Sequence, residues 1–164
     1  MDSFDPLVTT RTANPDEYSR VIELTHEMYN ASEIGAQDSH WEQDAIDWIG
    51  SASKSGHCEA CVAYDSATDK IVASGIGIIY DDLPQPWLPN GKMGYIRWMS
   101  TTEDFRGYGV GEQVLNHLMD WFEKNDVVRV QLHATDKSID FYQQHGFEKD
   151  SYTNMWWRKE NYPS

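Results

Sequence analysis

The sequence predicts a mixed α/β fold, in which a central, mostly antiparallel β-sheet is flanked by helices. Three observations lead to this prediction. Strand and helix patterns follow one another in the order β-α-α-β-β-β-α-β-α-β. Two strand patterns near the middle are joined by a short polar turn, which favours a hairpin. A glycine turn then joins a strand to a long amphipathic helix. With 164 residues, the chain fits a single domain spanning residues 1–164.

The first part of the chain predicts one strand and two helices. Residues 7–11 form the strand pattern. Asn14-Pro15-Asp16-Glu17 combines an N-cap, a proline at the first helical position and an acid three residues after the cap. That helix is expected to end near residues 30–35. A second helix start is Ser39-x-x-Glu42, and apolar residues recur around it at helical spacing: Trp41, Ala45, Trp48, Ile49 and Ala52.

The middle of the chain predicts two paired strands and a loop. Residues 58–64 and 71–80 are strand patterns, and the polar segment 65–69 between them indicates a hairpin turn. Residues 81–91 hold three prolines and a closing Asn-Gly, so they are predicted to form a loop. A further strand from residue 95 to about residue 101 leads into the glycine turn.

The last part predicts two helices and two strands. Apolar residues at helical spacing follow the glycine turn: Val110, Val114, Leu118, Trp121 and Phe122. Alternating apolar residues at 128–132 indicate a strand, and residues 135–145 a short helix. Gly146 stands where a left-handed helix C-cap is expected. Residues 152–157 are predicted to close the sheet as its last strand.

The composition narrows the class of function. Hydrophobic residues make up 40% of the chain and aromatic residues 13%, which provides for a folded core. The formal charge of −14 argues against a nucleic-acid partner, because such binding rests on clustered Lys and Arg. That charge is compatible with a cationic amine as substrate, and also with solubility alone. With no long apolar run and an acidic first segment, Met1 to Asp5, we expect a cytoplasmic protein and no membrane partner.

The two cysteines, Cys58 and Cys61, have a spacing that also occurs in redox and zinc sites. They lie on a predicted strand, where residues three apart point to opposite faces. A structural zinc site would also need further ligands, of which the nearby His57 supplies at most one. We therefore expect two thiols in the core and no metal ion.

The glycine turn holds three glycines in five residues between a strand and a helix. Such a turn lets the backbone approach a ligand and leaves the first amides of the helix for an anionic phosphate. The P-loop motif does not match, because no Gly-Lys-Ser/Thr follows. The dinucleotide fingerprint does not match either, because its third glycine position is Glu112.

The pattern that does match is Arg-x-x-Gly-x-Gly, at Arg106, Gly109 and Gly111. With it, the sequence resembles the GNAT superfamily of N-acetyltransferases, whose pyrophosphate-binding turn is Gln/Arg-x-x-Gly-x-Gly/Ala. About thirty residues later, the segment from Phe141 to Phe147 is similar to the family's Tyr-x-x-x-Gly-Phe. Leu83-Pro84-Gln85-Pro86 through Gly94-Tyr95-Ile96 is similar to the loop and strand entry of many members. The resemblance spans residues 62–157.

The resemblance implies acetyl-CoA as co-substrate and assigns its site. The backbone of Met99, Ser100 and Thr101 would pair with the pantetheine arm, with one amide facing the thioester oxygen. Arg106 and the amides from Gly107 to Glu112 would hold the pyrophosphate. Many members carry Asn where this chain has Thr135, and a small residue where it has Ser138. The cofactor-binding candidates are therefore Met99, Ser100, Thr101, Arg106, Gly107, Tyr108, Gly109, Val110, Gly111, Glu112, Thr135 and Ser138.

By the same resemblance, Tyr142 is the expected general acid, since a phenol can protonate the departing thiolate. His133 occupies the place of a catalytic Glu in one branch of the family and is the expected base. Its rivals are Glu103, Asp104 and Glu33.

The family's acceptor loop corresponds here to a segment with Tyr29, Asn30, Glu33 and Gln37, and Asp81 and Asp82 are expected to lie across the cleft. The expected activity is acetyl transfer to a primary amine of a small molecule, with cationic amines among the candidate acceptors. Alternatives are a peptide or protein acceptor, a longer acyl donor, or a silent CoA-binding module. Trp87, Trp156 and Trp157 are candidates for a homodimer contact or a pocket wall.

Overall fold

The computed structural model describes residues 7–29 and 40–160. The chain divides into two compact units, Met1–His133 and Ala134–Ser164. The strands of the first unit are β1 (Val8–Thr12), β2 (Cys58–Asp65), β3 (Lys70–Asp81), β4 (Lys92–Thr101) and β5 (Arg129–Leu132), and its helices are α1 (Tyr18–Met28), α2 (His40–Lys54) and α3 (Val110–Lys124). Short 3-10 turns lie at Pro15–Glu17 and Glu103–Phe105, and the second unit holds α4 (Ile139–Gln144).

The strands described in the first unit form one sheet in the order β1-β2-β3-β4-β5. Strands β1 to β4 pair antiparallel with their neighbours, whereas β4 and β5 are parallel. The parallel pair follows from the crossover through α3, which returns the chain to the starting end of β4. The predicted mixed, mostly antiparallel sheet with flanking helices is confirmed.

Strand β4 is irregular in its second half. Ser74 pairs with Ser100 and Ile76 pairs with Arg97, so Gly75 alone faces both Trp98 and Met99. This two-against-one arrangement is a β-bulge, and Trp98 takes a φ of 54° within it. The irregularity follows the end of the β4–β5 ladder, whose final pair is Ile96 and Leu132.

The helices bury apolar side chains on the two faces of the sheet. On one face, a cluster joins α1, α2 and the sheet: its members include Val21, Ile22, Ile49, Val62 and Ile76. Helix α3 contacts β2, β3 and β4 through buried Val114, Leu118 and Phe122. No helix within residues 7–29 and 40–160 has both the length and the apolar character that a membrane crossing needs.

Most predicted elements are present, with shifted ends. Strand β4 begins at Lys92, three residues before the predicted start, and α4 begins only at Ile139. Gly146 has a φ of 85°, as expected of a left-handed C-cap. The predicted end of the first helix at residues 30–35 and its neighbour Ser39 lie outside the described residues.

The prediction of a last strand at residues 152–157 is wrong. The structure places no strand there, and Tyr152, Met155 and Trp157 are each at least 84% exposed. The aromatic residues fit a strand by type, but a strand forms only where a partner takes up its backbone hydrogen bonds. None of the strand pairings of the sheet among the described residues includes residues 152–157.

A glycine in β4 sets how closely α3 approaches the sheet. A Cβ at Gly94 would lie 2.9 Å from the Phe122 ring and 2.9 Å from Val130 Cγ2. We expect Gly94→Ala to lower the free energy of unfolding by about 1–3 kcal/mol, because neither neighbour can withdraw without disturbing the packing.

Gly50 in α2 is the control, since its Cβ would meet nothing closer than Tyr18 at 3.8 Å. Gly50→Ala should raise the free energy of unfolding by up to about 1 kcal/mol through helix propensity. Urea unfolding followed by circular dichroism measures both variants. Equal stability of the two would contradict the tight contact at Gly94.

Candidate functional site

The second half of β4 has backbone N–H and C=O groups on one side that no neighbouring strand pairs with in the described ladder. Beyond Ile96 its described ladder partner is β3 alone, because β5 ends at Leu132. In an antiparallel pair, alternate residues turn both N–H and C=O away from the partner strand. Some amides between Arg97 and Thr101 therefore point to the edge that β5 has left. These are the groups that an extended ligand needs in order to pair with a strand.

The side chains of this segment are used within the protein. Ser100 is buried, and its hydroxyl donates to the Leu24 carbonyl of α1 at 2.9 Å. The Met99 side chain lies over Gly75, where a Cβ would stand only 2.6 Å from its sulfur. Of the predicted residues Met99, Ser100 and Thr101, the first two are thus anchored by their side chains, and what they present at the edge is their backbone.

The glycine turn has the geometry of an anion site. Gly107 and Gly109 have φ of 81° and 76°, a region that favours glycine, and no described atom comes within 4 Å of a Cβ built at either. Helix α3 begins at Val110, and no side chain caps its first turn. The first amides of a helix have no partner within the helix, and the helix dipole adds positive potential there.

Arg106 connects this turn to β4. Its Nε donates to the Thr101 carbonyl at 2.9 Å, across the 3-10 turn at Glu103–Phe105. The hydrogen bond holds the open end of the strand beside the start of α3. The remaining predicted residues of the turn, Tyr108, Gly111 and Glu112, follow within this same short segment.

Polar and charged side chains contact Tyr95 on β4. Its hydroxyl is hydrogen-bonded to Nδ1 of His133, and the ring centres of these residues lie 5.6 Å apart. The Arg97 guanidinium lies over the Tyr95 ring, 4.7 Å from its centre. Burial raises the pKa of Tyr95, and the Arg97 charge opposes this shift. The predicted base His133 therefore sits against a protonated phenol.

A second hydrogen bond lies near this group: Gln131 donates to the Tyr80 hydroxyl at 2.9 Å. Burial raises the pKa of Tyr80.

The rival bases Glu103 and Asp104 are exposed on the 3-10 turn. Asp82 accepts from the amide of Leu83 at 2.7 Å, and both it and Asp81 are exposed. The third rival, Glu33, lies outside the described residues, as do Asn30 and Gln37. Tyr29 is the last described residue before that gap.

A cavity of about 300 Å³ lies between α2 and the bulged part of the sheet. Because the bulge directs two consecutive side chains to one face, Arg97 and Trp98 both line it. The other lining side chains are apolar and include Trp48, Ile49, Ile76 and Ile78. The sequence does not indicate this cavity, because a bulge leaves no mark in the alternation of residue types.

The second unit carries Tyr142 on α4. Tyr142 is 9% exposed, with the rings of Phe141 and Phe147 at 5.1 Å and 5.7 Å. Burial raises the pKa of its phenol. Ahead of α4, the Ser138 hydroxyl donates to the Thr135 carbonyl at 3.0 Å, and the two hydroxyl oxygens lie 3.1 Å apart. Thr135 and Ser138 thus close the turn from which α4 begins.

A model of the Acetyltransferase (GNAT) family matches residues 20–147, most of the chain. This chain belongs to the GNAT acetyltransferase family. The match runs from α1 to the residue after Gly146, so it includes β4, the glycine turn and α4.

Solved structures share this GNAT fold. A predicted acetyltransferase from Clostridium acetobutylicum, solved with acetyl-CoA, has a TM-score of 0.78 at 17% identity, over 91% of this chain and 96% of that one. Glucosamine-6-phosphate N-acetyltransferase from Arabidopsis thaliana has a TM-score of 0.71 at 22% identity, over 93% and 99%. AAC(6')-Iy, in complex with the bisubstrate analog CoA-S-monomethyl-acetylneamine, has a TM-score of 0.74 at 14% identity, over 93% and 98%.

A probable serine/threonine-protein kinase from Dictyostelium discoideum is 33% identical over 57 residues, which is 35% of this chain. The chain spans only 8% of that curated relative's length.

The two cysteines of this GNAT chain are free and buried, as expected. Burial raises the pKa of Cys58 to about 11 and that of Cys61 to about 12. Within the described ranges, no three His, Cys, Asp or Glu side chains come together in a group that could hold a metal ion. Because the thiolate is the nucleophilic form, both thiols are expected to be inert near neutral pH.

We therefore expect native protein at pH 7.5 to incorporate no iodoacetamide at either cysteine, and urea-unfolded protein to incorporate two equivalents. Burial raises both pKa values, so the native thiols should stay unreactive until the pH approaches 11. Intact-mass spectrometry measures the incorporation. Rapid labelling of one native thiol at pH 7.5 would show that a reactive cysteine is present.

Proposed function

We propose that this GNAT protein is an N-acetyltransferase that moves the acetyl group of acetyl-CoA to a primary amine of a small molecule. The reaction proceeds by direct attack in a ternary complex. One observation carries the proposal: Arg106 holds the open edge of β4 beside the uncapped glycine turn of α3. An extended chain attached to a diphosphate matches such a site, and the pantetheine arm of coenzyme A is attached to one. The Clostridium acetobutylicum structure that contains acetyl-CoA supports this choice.

In this proposal, the amides between Gly107 and Glu112 bind the pyrophosphate, and the pantetheine arm pairs with the edge of β4. An amide at Met99 or Thr101 then faces the thioester oxygen. Attack by the amine places negative charge on that oxygen. An oriented amide in a dry site stabilises the charge, typically by about 3 kcal/mol.

The amine nitrogen must lose a proton to attack. For an amine of pKa about 10.4, the neutral form at pH 7 lies about 4.6 kcal/mol uphill. His133 is the proposed base. Its hydrogen bond with Tyr95 suits this role when Nδ1–H donates to the phenol oxygen, because the lone pair of the imidazole is then at Nε2.

Tyr142 is the proposed general acid. As the tetrahedral intermediate collapses, the C–S bond breaks, its electron pair stays on sulfur, and the phenol proton moves to the thiolate. The raised pKa of Tyr142 keeps the phenol protonated throughout the neutral range. Direct transfer is also supported by the two buried thiols, since an acyl-enzyme would need an activated nucleophile. We further propose that the enzyme works in the cytoplasm.

Calorimetric titration with coenzyme A tests the turn. We expect micromolar or tighter binding, and Gly109→Ala should weaken it about tenfold. Alanine disfavours the left-handed φ by about 1–2 kcal/mol, so the free turn would leave the conformation that presents its amides and would have to regain it on binding. Gly56→Ala is the matched control. Gly56 has a φ of 78°, no described atom within 4 Å of its added Cβ, and a place in the turn between α2 and β2.

Gly56→Ala should lose similar stability yet keep the affinity of the parent protein. No binding by the parent protein would refute the proposed function. Equal weakening by both variants would refute the role of the turn. Coenzyme A binding without thiol release on any amine would favour the silent module.

Tyr142→Phe tests the acid. We expect kcat to fall roughly 100-fold or more, because the proton donor is lost, with little change in the KM for acetyl-CoA. Tyr152→Phe, in the same unit and 84% exposed, should leave kcat unchanged. The raised pKa of Tyr142 also predicts that the parent enzyme loses no rate through phenol ionisation below about pH 10. Full activity of Tyr142→Phe would contradict the role.

A further inference from the structure

We propose that the cavity between α2 and the bulge of β4 binds the acceptor, and that this acceptor is an amine carrying a carboxylate and an apolar side group. Apolar amino acids have this chemistry. The inference rests on the proposed acetyl transfer and narrows its substrate. It departs from the cationic acceptor with which the net charge is compatible.

The cavity has the size and lining of a small-molecule site. Its volume of about 300 Å³ lies at the lower end of the range of ligand pockets, which is roughly 300–1,000 Å³. Ile49 and Ile76 are buried at its floor, whereas Trp48 is 48% exposed. A half-exposed indole beside a buried apolar floor favours a ligand with an aromatic ring or a branched aliphatic chain.

Arg97 supplies the charge of this cavity. Among the described residues no carboxylate lies within ion-pair distance of its guanidinium, which stacks instead on the Tyr95 ring. None of the described lining residues carries a negative charge. A guanidinium binds a carboxylate through two parallel N–H···O bonds, so the local charge selects an anionic group.

The net charge of −14 does not reverse this local preference. Charges separated by more than about 8 Å are largely screened at physiological ionic strength. The acceptor would therefore respond to Arg97 at contact distance and only weakly to the acidic surface as a whole.

The position of Tyr95 connects the carboxylate site with the proposed base. Arg97 lies 4.7 Å from the centre of its ring, and the His133 ring centre lies 5.6 Å from the same point. Met99, whose amide is a candidate for the thioester oxygen, directly follows Trp98, and consecutive Cα atoms are about 3.8 Å apart. Arg97 and His133 therefore contact the same ring, and an amine one carbon from a carboxylate bound at Arg97 would stay in the neighbourhood of His133.

The first experiment measures thiol release from acetyl-CoA with matched acceptors. L-Phenylalanine and L-leucine are compared with 2-phenylethylamine and 3-methylbutylamine, which lack only the carboxylate, and with spermidine. We expect the amino acids to show at least tenfold higher kcat/KM than their decarboxylated partners, when KM is calculated from the concentration of the neutral amine. Spermidine should be the poorest acceptor.

Two variants assign that preference to the cavity. Arg97→Gln should remove most of the tenfold advantage of the carboxylate, so that the ratio of kcat/KM for phenylalanine to kcat/KM for 2-phenylethylamine falls toward one. Arg129→Gln is the control, since Arg129 is an exposed arginine of the adjacent β5 and does not line the cavity. Trp48→Ala should raise the KM for phenylalanine more than that for alanine, because it removes the apolar wall at the mouth.

Equal kcat/KM for amino acids and their decarboxylated partners, or a preference for spermidine, would overturn the inference while the acetyl transfer stands. Calorimetric titration of phenylalanine into the coenzyme A complex covers the case of no turnover. Binding that depends on Arg97 would then support the site although the transfer failed. The absence of such binding would overturn the site as well.

Discussion

The separation of β4 from β5 beyond Ile96 is the structural feature on which the candidate site depends. A strand within a sheet has its backbone groups satisfied on both sides, and it can bind nothing through them. Here β5 ends at Leu132 while β4 continues for five residues, and the bulge opposite Gly75 changes the direction of the strand in that stretch. The protein thereby keeps backbone donors at an edge that is otherwise held rigidly by β3.

The bulge determines which side chains of β4 lie on each face of the sheet. On the face of α1 and α2 it places Arg97 and Trp98 side by side in the cavity. On the other face it lets Met99 lie over Gly75, toward Val114 and Leu118 of α3. The side chains of this part of β4 pack against other elements or line the cavity. The backbone groups are therefore the part of the strand that could pair with a bound ligand. This division explains why residue types alone say little about the segment.

The sequence predicted the elements and the turn, because those depend on local chemistry. The proline after Asn14, the glycines at 107 and 109 and the polar turn at 65–69 each specify a backbone conformation by themselves. It did not predict the bulge at Trp98 or the cavity, since each is set by residues distant in the chain. It also did not predict the hydrogen bond from Arg106 to Thr101, which depends on the 3-10 turn that folds between these two residues. The strand predicted at 152–157 failed because a strand requires a neighbouring strand to pair with, and residue types alone do not supply one.

The close contact of Gly94 with Phe122 has a further consequence for α3. A 15-residue helix is about 22 Å long and behaves as a stiff rod. Phe122 lies near one end of that rod and the glycine turn at the other. A tilt imposed by crowding at Phe122 would move the far amides through a similar displacement, so the position of the amides proposed to bind phosphate depends on a methyl-sized space inside the protein.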